Sequence, residues 1–416
     1  MLSQCLKEKS HRVSLQWRPI DSFPNFSDPN TTAPRECPVC RSSRFRRILS
    51  FDSFQFYTDS TELPKNVPLS DSLCLDCYTV HKNPSYTELG LKVVLGEAGY
   101  SYGASVGRDE KDIKALQAKG LLRDGASVLD AGCYDGRFLA RFPESMRRIG
   151  VDIDGPAIER GELNFPNIDF ICGDFETFQT TVKPDVIIML HVLEHLPRPV
   201  LALKNLRANS HPDTVLVVEV PLLELGLTND VNGYFSVHHL THFSKQSFVN
   251  CLHAAGWEVK EVDEKPDYNG FAAFAVPGPE IPPVRDDLAP TLVYSYLSYW
   301  YDSLKKIEAR LQRLKEMRRC ALWGAGIHTE FLYQLTSIFR SDSRYTLVDM
   351  DPIKRDKTWR GLPIQDPKLL ATETWSDSDV FIASSYQHHD AIVKSARQFG
   401  VPERCIVPLY DYIRVR

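Results

Sequence analysis

The sequence predicts an α/β protein with a Rossmann-like central core, a cysteine-rich module before it and a second Rossmann-like α/β unit after it. Three observations carry this prediction. Short apolar runs at 127–132, 147–153, 168–174, 185–190 and 214–220 alternate with segments of helical length. That alternation is the mark of parallel βαβ units closed by right-handed crossovers. Two C-x-x-C pairs, Cys37/Cys40 and Cys74/Cys77, precede the runs. A second alternation starts at Cys320, with CALWGAG, YTLVDMD, DVFIASS and RCIVPL as its strand signals.

The elements follow in order. Residues 1–35 are polar, rich in Ser, Pro and Asn, and read as a lead-in without period. Residues 36–84 hold the cysteine pairs among short β-like runs. Residues 85–275 form the central domain, whose first stretch, to about residue 106, reads as a connector. Residues 276–319 begin with the proline-dense VPGPEIPPVRDDLAP, a linker signal, and continue as a helix from Thr291. Residues 320–416 form the C-terminal unit. A chain of 416 residues suits this division, since domains usually hold ~100–200 residues.

Composition narrows the function. Apolar residues make up 43% and charged residues 25%, the balance of a soluble globular protein. The net charge of -5 and the pI of about 6.2 argue against a dedicated nucleic-acid binder, which carries a basic surplus. No apolar run approaches the ~20 residues that cross a bilayer, and the N-terminus lacks the apolar core of a signal peptide. Ten cysteines, four of them in C-x-x-C pairs, suit metal binding in a reducing compartment rather than a disulfide framework. The expected location is the cytoplasm.

Chemistry concentrates at the predicted strand ends. Val128-Leu-Asp130-Ala-Gly132-Cys-Tyr134-Asp-Gly136 runs a strand into a tight turn, and a helix is expected after it. Glycines at 132 and 136 let a ligand approach the backbone. Dinucleotide sites place G-x-G-x-x-G here for pyrophosphate. An acid at 130 repels pyrophosphate but attracts a sulfonium or an ammonium group, which favours S-adenosylmethionine over NAD. Asp152 ends the next strand, about 20 residues on, where an acid accepts from both ribose hydroxyls. Asp174 and Phe175 end the third strand, where an acid accepts from an adenine amino group and Phe175 offers a backbone N–H or its ring. Ile153 and Leu190 stand at neighbouring strand ends and join this cofactor set. Tyr100 and Tyr102 are placed to cover the cofactor. His191, Glu194 and His195, after the fourth strand, have the spacing of a metal cluster but read better as the lining of the cleft.

VLDAGCYDG, GVDID, CGDFE and LHVLEHLPRP together resemble the successive motifs of class I S-adenosylmethionine-dependent methyltransferases, in the family's order, over about 170 residues. Tyr134 departs from the glycine the family prefers. Before that core, the two knuckles at Cys37, Cys40, Cys74 and Cys77 can supply four thiolates to a structural Zn2+, with His81 as a lesser alternative ligand. Such a metal would stabilise a module of ~50 residues, too small for a strong core of its own.

The whole order resembles the zinc-containing C-methyltransferases of nucleotide-linked deoxysugars. The shared features are CPVC, LCLDCYTVHKNP, the class I motifs, HHLTHFS and a C-terminal unit opening on a glycine-rich turn. That resemblance implies a small-molecule acceptor, most simply a nucleotide sugar, methylated at carbon or oxygen. In that family a Tyr-His-Glu-His-Leu segment supplies a general base. Here His239 and Leu240 match its end, while Ser236, Val237 and His238 replace the tyrosine, first histidine and glutamate. His239 therefore leads as base, with His238, His242 and His191 in reserve, since an imidazole of pKa ~6.5 suits proton removal at neutral pH.

Leu322–Thr329 forms another strand–turn–helix signal, with Asp349 and Asp351 at the next strand end. By resemblance, His328 and Thr329 would lie near the nucleotide, with Tyr386, Gln387, His388 and His389 on the same edge. The competing reading is an RNA methyltransferase, kept open by Arg41, Arg44, Arg46 and Arg47 beside the first knuckle. A non-catalytic binder of S-adenosylmethionine is a third.

Overall fold

The computed structural model describes residues 29–56, 65–95, 108–225, 235–265, 270–312, 317–339, 344–386 and 388–411. In the N-terminal region, β1 (Thr32–Ala33) pairs antiparallel with β5 (Ser85–Tyr86). β2 (Phe45–Phe56) and β3 (Lys65–Cys74) form a long antiparallel ribbon with two register shifts, and β4 (Val80–Lys82) joins β3. α1 (Glu88–Leu95) follows. A short module like this buries too little surface to stand alone, and its two ends are anchored on different neighbours. The knuckle residues Cys37, Val39, Cys74 and Cys77 share a core with the central domain. Phe54, Val67 and Leu69 share one with the C-terminal unit.

The central domain opens with α2 (Arg108–Ala118) and holds β6 (Ser127–Ala131), β7 (Arg147–Asp152), α3 (Gly155–Asn164), β8 (Asp169–Cys172), β9 (Val186–Leu190), α4 (Pro199–Ala208) and β10 (Val215–Val220). These five strands are the five apolar runs of the sequence. They pair in parallel in the order β10-β9-β6-β7-β8. Every residue of β6 is buried, as expected where helices cover both faces of a parallel sheet. After β11 (Thr241–His242) and α5 (Lys245–Ala254), β12 (Trp257–Lys265) and β13 (Gly270–Pro277) extend the sheet antiparallel, giving β12-β13-β10-β9-β6-β7-β8. Chain direction across the sheet reverses beside β6, so the crevice for a ligand opens at the carboxyl ends of β6 and β9.

The expected helix after Gly136 is reduced to a single 3-10 turn, Leu139–Arg141. Pro143 lies seven residues past Gly136 and cannot continue a helix. The two residues of β11 leave the central domain and pair with β4, so the ribbon sheet has the order β11-β4-β3-β2. Sequence order gives no hint of this exchange.

The proline-dense segment is a strap rather than a loose linker. Val276 and Pro277 belong to β13, and the rest lies on the central domain. Asn250 Nδ2 donates to Val284 O at 2.6 Å, and Ser244 Oγ donates to Asp286 Oδ2 at 2.5 Å. Asp286 N donates to the carbonyl of Cys77 at 3.2 Å.

α6 (Ala289–Gln312) begins two residues before the expected Thr291. Its buried side chains are Ala289, Val293, Tyr296, Trp300, Ile307 and Leu311, with Leu304 packed against them. Those positions repeat every three or four residues, so they form one apolar stripe along the helix.

The C-terminal unit contains β14 (Arg319–Trp323), α7 (Ile327–Leu335), β15 (Tyr345–Val348), β16 (Thr358–Trp359), β17 (Leu362–Gln365), β18 (Asp379–Ala383) and α8 (His389–Gln398). The sheet order is β16-β17-β15-β14-β18, parallel except for the β16–β17 hairpin. That hairpin was not expected. Its signal is Arg360-Gly361, both at positive φ, as the tight two-residue turn requires. RCIVPL contributes one bridge, Phe381 to Ile406, rather than a strand. Among the described residues, no helix is long and apolar enough to cross a membrane.

Candidate functional site

The first component is the acid pair at the tips of β6 and β7. The strand geometry buries Asp130 to 5% exposure at the last turn of β6. Burial, and after it the charge of Asp152, push its carboxyl up to about 8. Asp152 is pushed up to about 6, by burial first, against the backbone N–H groups that hold it. Its Oδ2 accepts from Tyr134 N at 2.8 Å and its Oδ1 from Asp154 N at 2.9 Å. A buried acid, Asp130, and a half-buried one, Asp152, both with raised pKa values, are poised for a cation, which would stabilise both charged forms.

Gly132 sits at φ +99, and a Cβ there would lie 2.3 Å from Val192 Cγ2. Only glycine fits between the cofactor turn and the segment after β9. Gly136, at φ +77, faces the ring of Phe170 at 2.5 Å from a Cβ. Tyr134, also at positive φ, lies beneath the Arg160 guanidinium, and its hydroxyl accepts from Arg160 at 3.1 Å. The turn thus tolerates the side chain where the resemblance prefers glycine.

Ile153 follows Asp152 and points an N–H at its carboxylate. Asp174 Oδ1 accepts from Glu176 N at 2.8 Å, which closes the turn after β8. The ring of Phe175 is buried in the core at 7% exposure rather than offered as an open ring face. Leu190 is half-buried at the end of β9. Tyr100 and Tyr102 lie outside the described residues.

The second component follows β9. His191 adopts φ 53 and stands between two buried glutamates. Its Nε2 is 2.9 Å from Glu219 Oε1 and its Nδ1 is 3.4 Å from Glu194 Oε1. Both ring nitrogens therefore face carboxylates, which places His191 as a fixed wall of the cleft. Glu219, in the middle of an apolar strand, was missed; a charged residue inside TVLVVEV is the signal that marks it.

His195 and His239 come together from different segments, with ring centroids 4.9 Å apart. His195 Nδ1 lies 3.0 Å from the carbonyl of His238, and its Nε2 3.8 Å from Glu194 Oε1. The carboxylate of Glu194 is fully buried; burial pushes it up, but His191 and His195 outweigh that and hold it below its ordinary range. Burial keeps His239 neutral, well below the usual imidazole value, and neighbouring imidazoles add to the effect. His238 is held to about 3 for the same first reason. His239 and His238 are thus both held as neutral imidazoles.

His242 stands apart from them in function. Its Nε2 is 2.9 Å from Asp71 Oδ1, and Lys82 Nζ is 3.3 Å from the same oxygen. Asp71 and Lys82 are completely buried, so this triad pins β11 of the central domain to the ribbon sheet. Burial alone would raise Asp71, but Lys82 and His242 hold it low.

The third component is the cysteine cluster. Cys37, Cys40, Cys74 and Cys77 bring their Sγ atoms within 4.8 Å of one another. Cys37 and Cys77 are 3.6 Å apart, as are Cys40 and Cys74. Four thiolates at ~2.3 Å from a tetrahedral metal would be separated by ~3.8 Å. The cluster fits that cage closely. Asp76 N reaches Cys74 Sγ at 3.4 Å, a contact that supports a thiolate. His81 is buried with its Nδ1 on Thr79 O at 3.4 Å, and Cys77 takes the fourth position.

In the C-terminal unit the residues expected beside a nucleotide turn inward. His328 Nδ1 is 3.1 Å from Ser384 Oγ and its Nε2 is 2.6 Å from Tyr410 Oη. Thr329 Oγ1 bonds Gly324 O and Ser384 Oγ. Asp349 Oδ2 accepts from Ala325 N at 2.7 Å and so closes the glycine turn. These bonds consume the side chains that the sequence offered to a ligand. Asp351 N donates to Asp349 Oδ1 in the same turn. Tyr386 is buried against Tyr410, His388 is exposed, and Gln387 lies outside the described residues.

Comparison with known proteins finds likeness over the central domain. Residues 108–262 match the family model of a methyltransferase domain. A trans-aconitate 2-methyltransferase of Azoarcus sp. (strain BH72) is 27% identical over 110 residues, or 26% of this chain and 43% of the relative. The chain thus spans less than half of that relative's length. A TehB-like SAM-dependent methyltransferase of Corynebacterium glutamicum is 19% identical with a TM-score of 0.33, covering 42% of this chain and 91% of the other. Magnesium protoporphyrin IX methyltransferase of Synechocystis PCC 6803 is 22% identical with a TM-score of 0.33, covering 41% of this chain and 82% of the other.

Proposed function

We propose that the methyltransferase domain transfers the methyl group of S-adenosylmethionine to a small molecule, specifically a nucleotide-linked sugar or a related glycan or natural-product precursor. The observation that carries the donor assignment is the pair of carboxyls at neighbouring strand tips, buried Asp130 and half-buried Asp152. A sulfonium and an amino-acid ammonium would ionise and pair with groups that burial otherwise keeps near neutrality. The glycine turn at 132–136 lets the donor lie against the backbone, and Asp152 would take the ribose hydroxyls once its hold on Tyr134 N loosens.

The acceptor would enter beside β9. Methyl transfer needs little more than an aligned nucleophile and a place for its proton. The cluster of Glu194, His195 and His239 is the polar group at that position, which keeps His239, the base favoured by the sequence, at the centre of the acceptor side. The likeness to a trans-aconitate methyltransferase supports a small acceptor; the order of cysteine module, core and C-terminal unit supports a nucleotide sugar. Zn2+ held by the four cysteines would be structural, because thiolates fill all four positions and leave none for water.

An RNA acceptor has less support. Of the arginines that kept it open, Arg44 pairs with Asp76 and Arg46 donates to Tyr294 Oη at 3.2 Å. The test is incubation with methyl-labelled S-adenosylmethionine and, separately, a panel of nucleotide sugars and total RNA. Label in a nucleotide sugar is the expected result. Label in RNA alone would move the acceptor, and label in neither would remove the small-molecule assignment.

A further inference from the structure

We propose that Glu194, His195 and His239 hold a divalent transition-metal ion on the acceptor side of the cleft, distinct from the ion expected at the cysteines. The inference rests on the methyl-transfer reading only for what the metal would do; its existence stands on the geometry.

The three ligand atoms lie within 4.8 Å of one another. Two histidines and a carboxylate make a three-ligand set that leaves coordination positions open, unlike the closed cage of four cysteines. Ligands at ~2.1 Å from one ion sit ~3–4 Å apart, so the three side chains need to close by about 1 Å.

Each ligand is prepared for the role. Glu194 is 1% exposed, and neither of its carboxylate oxygens makes a hydrogen bond of good geometry. Its nearest partners are imidazoles, His191 Nδ1 at 3.4 Å and His195 Nε2 at 3.8 Å, and a cation held among them would complete the carboxylate. His195 turns Nδ1 to the carbonyl of His238 at 3.0 Å. A proton on Nδ1 in that bond makes Nε2, the atom near Glu194, the lone-pair nitrogen of the ring. That is the arrangement by which metal-ligating histidines are oriented. A backbone bond from Leu240 N to Glu194 O at 2.7 Å fixes the two segments side by side. It delivers His239 to the same point.

His191, which sequence spacing grouped with Glu194 and His195, is excluded because both its nitrogens face glutamates. His239 replaces it from 45 residues beyond Glu194 in the chain. Val192, three residues from His195, packs against Gly132, so the cluster borders the cofactor turn. An ion there would present its open positions to an oxygen of the acceptor. His239 would then act as a ligand, and polarisation of the acceptor would fall to the metal.

The test uses the full chain, stripped of metal and titrated with Co2+. Thiolate ligation gives an intense charge-transfer band in the near ultraviolet, whereas a nitrogen and oxygen site gives only weak d–d absorption. The expected result is both signatures and about two equivalents bound. His239→Asn, at a half-buried position, is expected to lose the second signature and about one equivalent while the thiolate band stays. Glu194→Gln is expected to do the same. A wild-type titration that shows thiolate bands alone, or a His239→Asn protein with wild-type metal content, overturns the proposal. Calorimetric binding of S-adenosylhomocysteine, measured on the same samples, reports separately on the methyl-donor reading: its loss in wild type would sink that reading without touching the metal count.

Discussion

Replacing Asp130 by Asn isolates the energetic cost of the cofactor site. Asp130 titrates at about 8 in the folded protein and at ~3.9 in an unfolded chain. Between those values the folded state keeps a proton that the unfolded state has lost. Stability therefore falls as pH rises through that window, because the folded state binds more protons. Each pH unit inside the window costs ~1.4 kcal/mol. The accumulated cost is ~1.5 kcal/mol at pH 5 and ~5 kcal/mol at pH 8. An amide of the same shape does not titrate, so Asp130→Asn removes this dependence. Thermal and urea unfolding of both proteins, free of ligand, should show a gap that opens with pH in favour of the variant. The same variant should lose most of its affinity for S-adenosylhomocysteine, which carries an ammonium group. A stability difference that does not change between pH 5 and pH 8 would refute the reasoning, because it would show that Asp130 is ionised throughout.

Two further outcomes follow from the architecture. A chelator that strips the cysteine cluster should remove about one zinc and lower the unfolding midpoint sharply, because the module buries too little surface to hold itself; a metal-free protein with an unchanged melting curve would contradict it. Asp71→Asn should cost about 3–5 kcal/mol, because Lys82 is then left buried without its partner; a change below 1 kcal/mol in urea unfolding would show that water or another group reaches Lys82.

Much of this fold can be read from local pattern. The apolar runs that became β6 to β10 are continuous, and those of β6, β7 and β8 end in the small or acidic residues that begin a turn. The acids at 130, 152 and 174 sit at strand tips because sequence spacing alone places them there. What stayed hidden depends on contacts between distant segments. Nothing near His239 indicates that it meets Glu194 and His195, since the meeting depends on β11 crossing to β4. Nothing near Asp71 indicates His242, for the same reason. The short turn after Gly136 was legible in hindsight from Pro143, and the β16–β17 hairpin from Arg360-Gly361. The inward turn of His328 and Thr329 was not, because Ser384 and Tyr410 arrive from later strands and loops.

The most direct measurement is isothermal calorimetry of the purified chain with S-adenosylmethionine in buffers of different ionisation enthalpy. About one equivalent should bind with release of protons near pH 7, as buried acids ionise to meet the cation, and Asp152→Ala should weaken that binding. No heat from either this donor or its demethylated product would contradict the account.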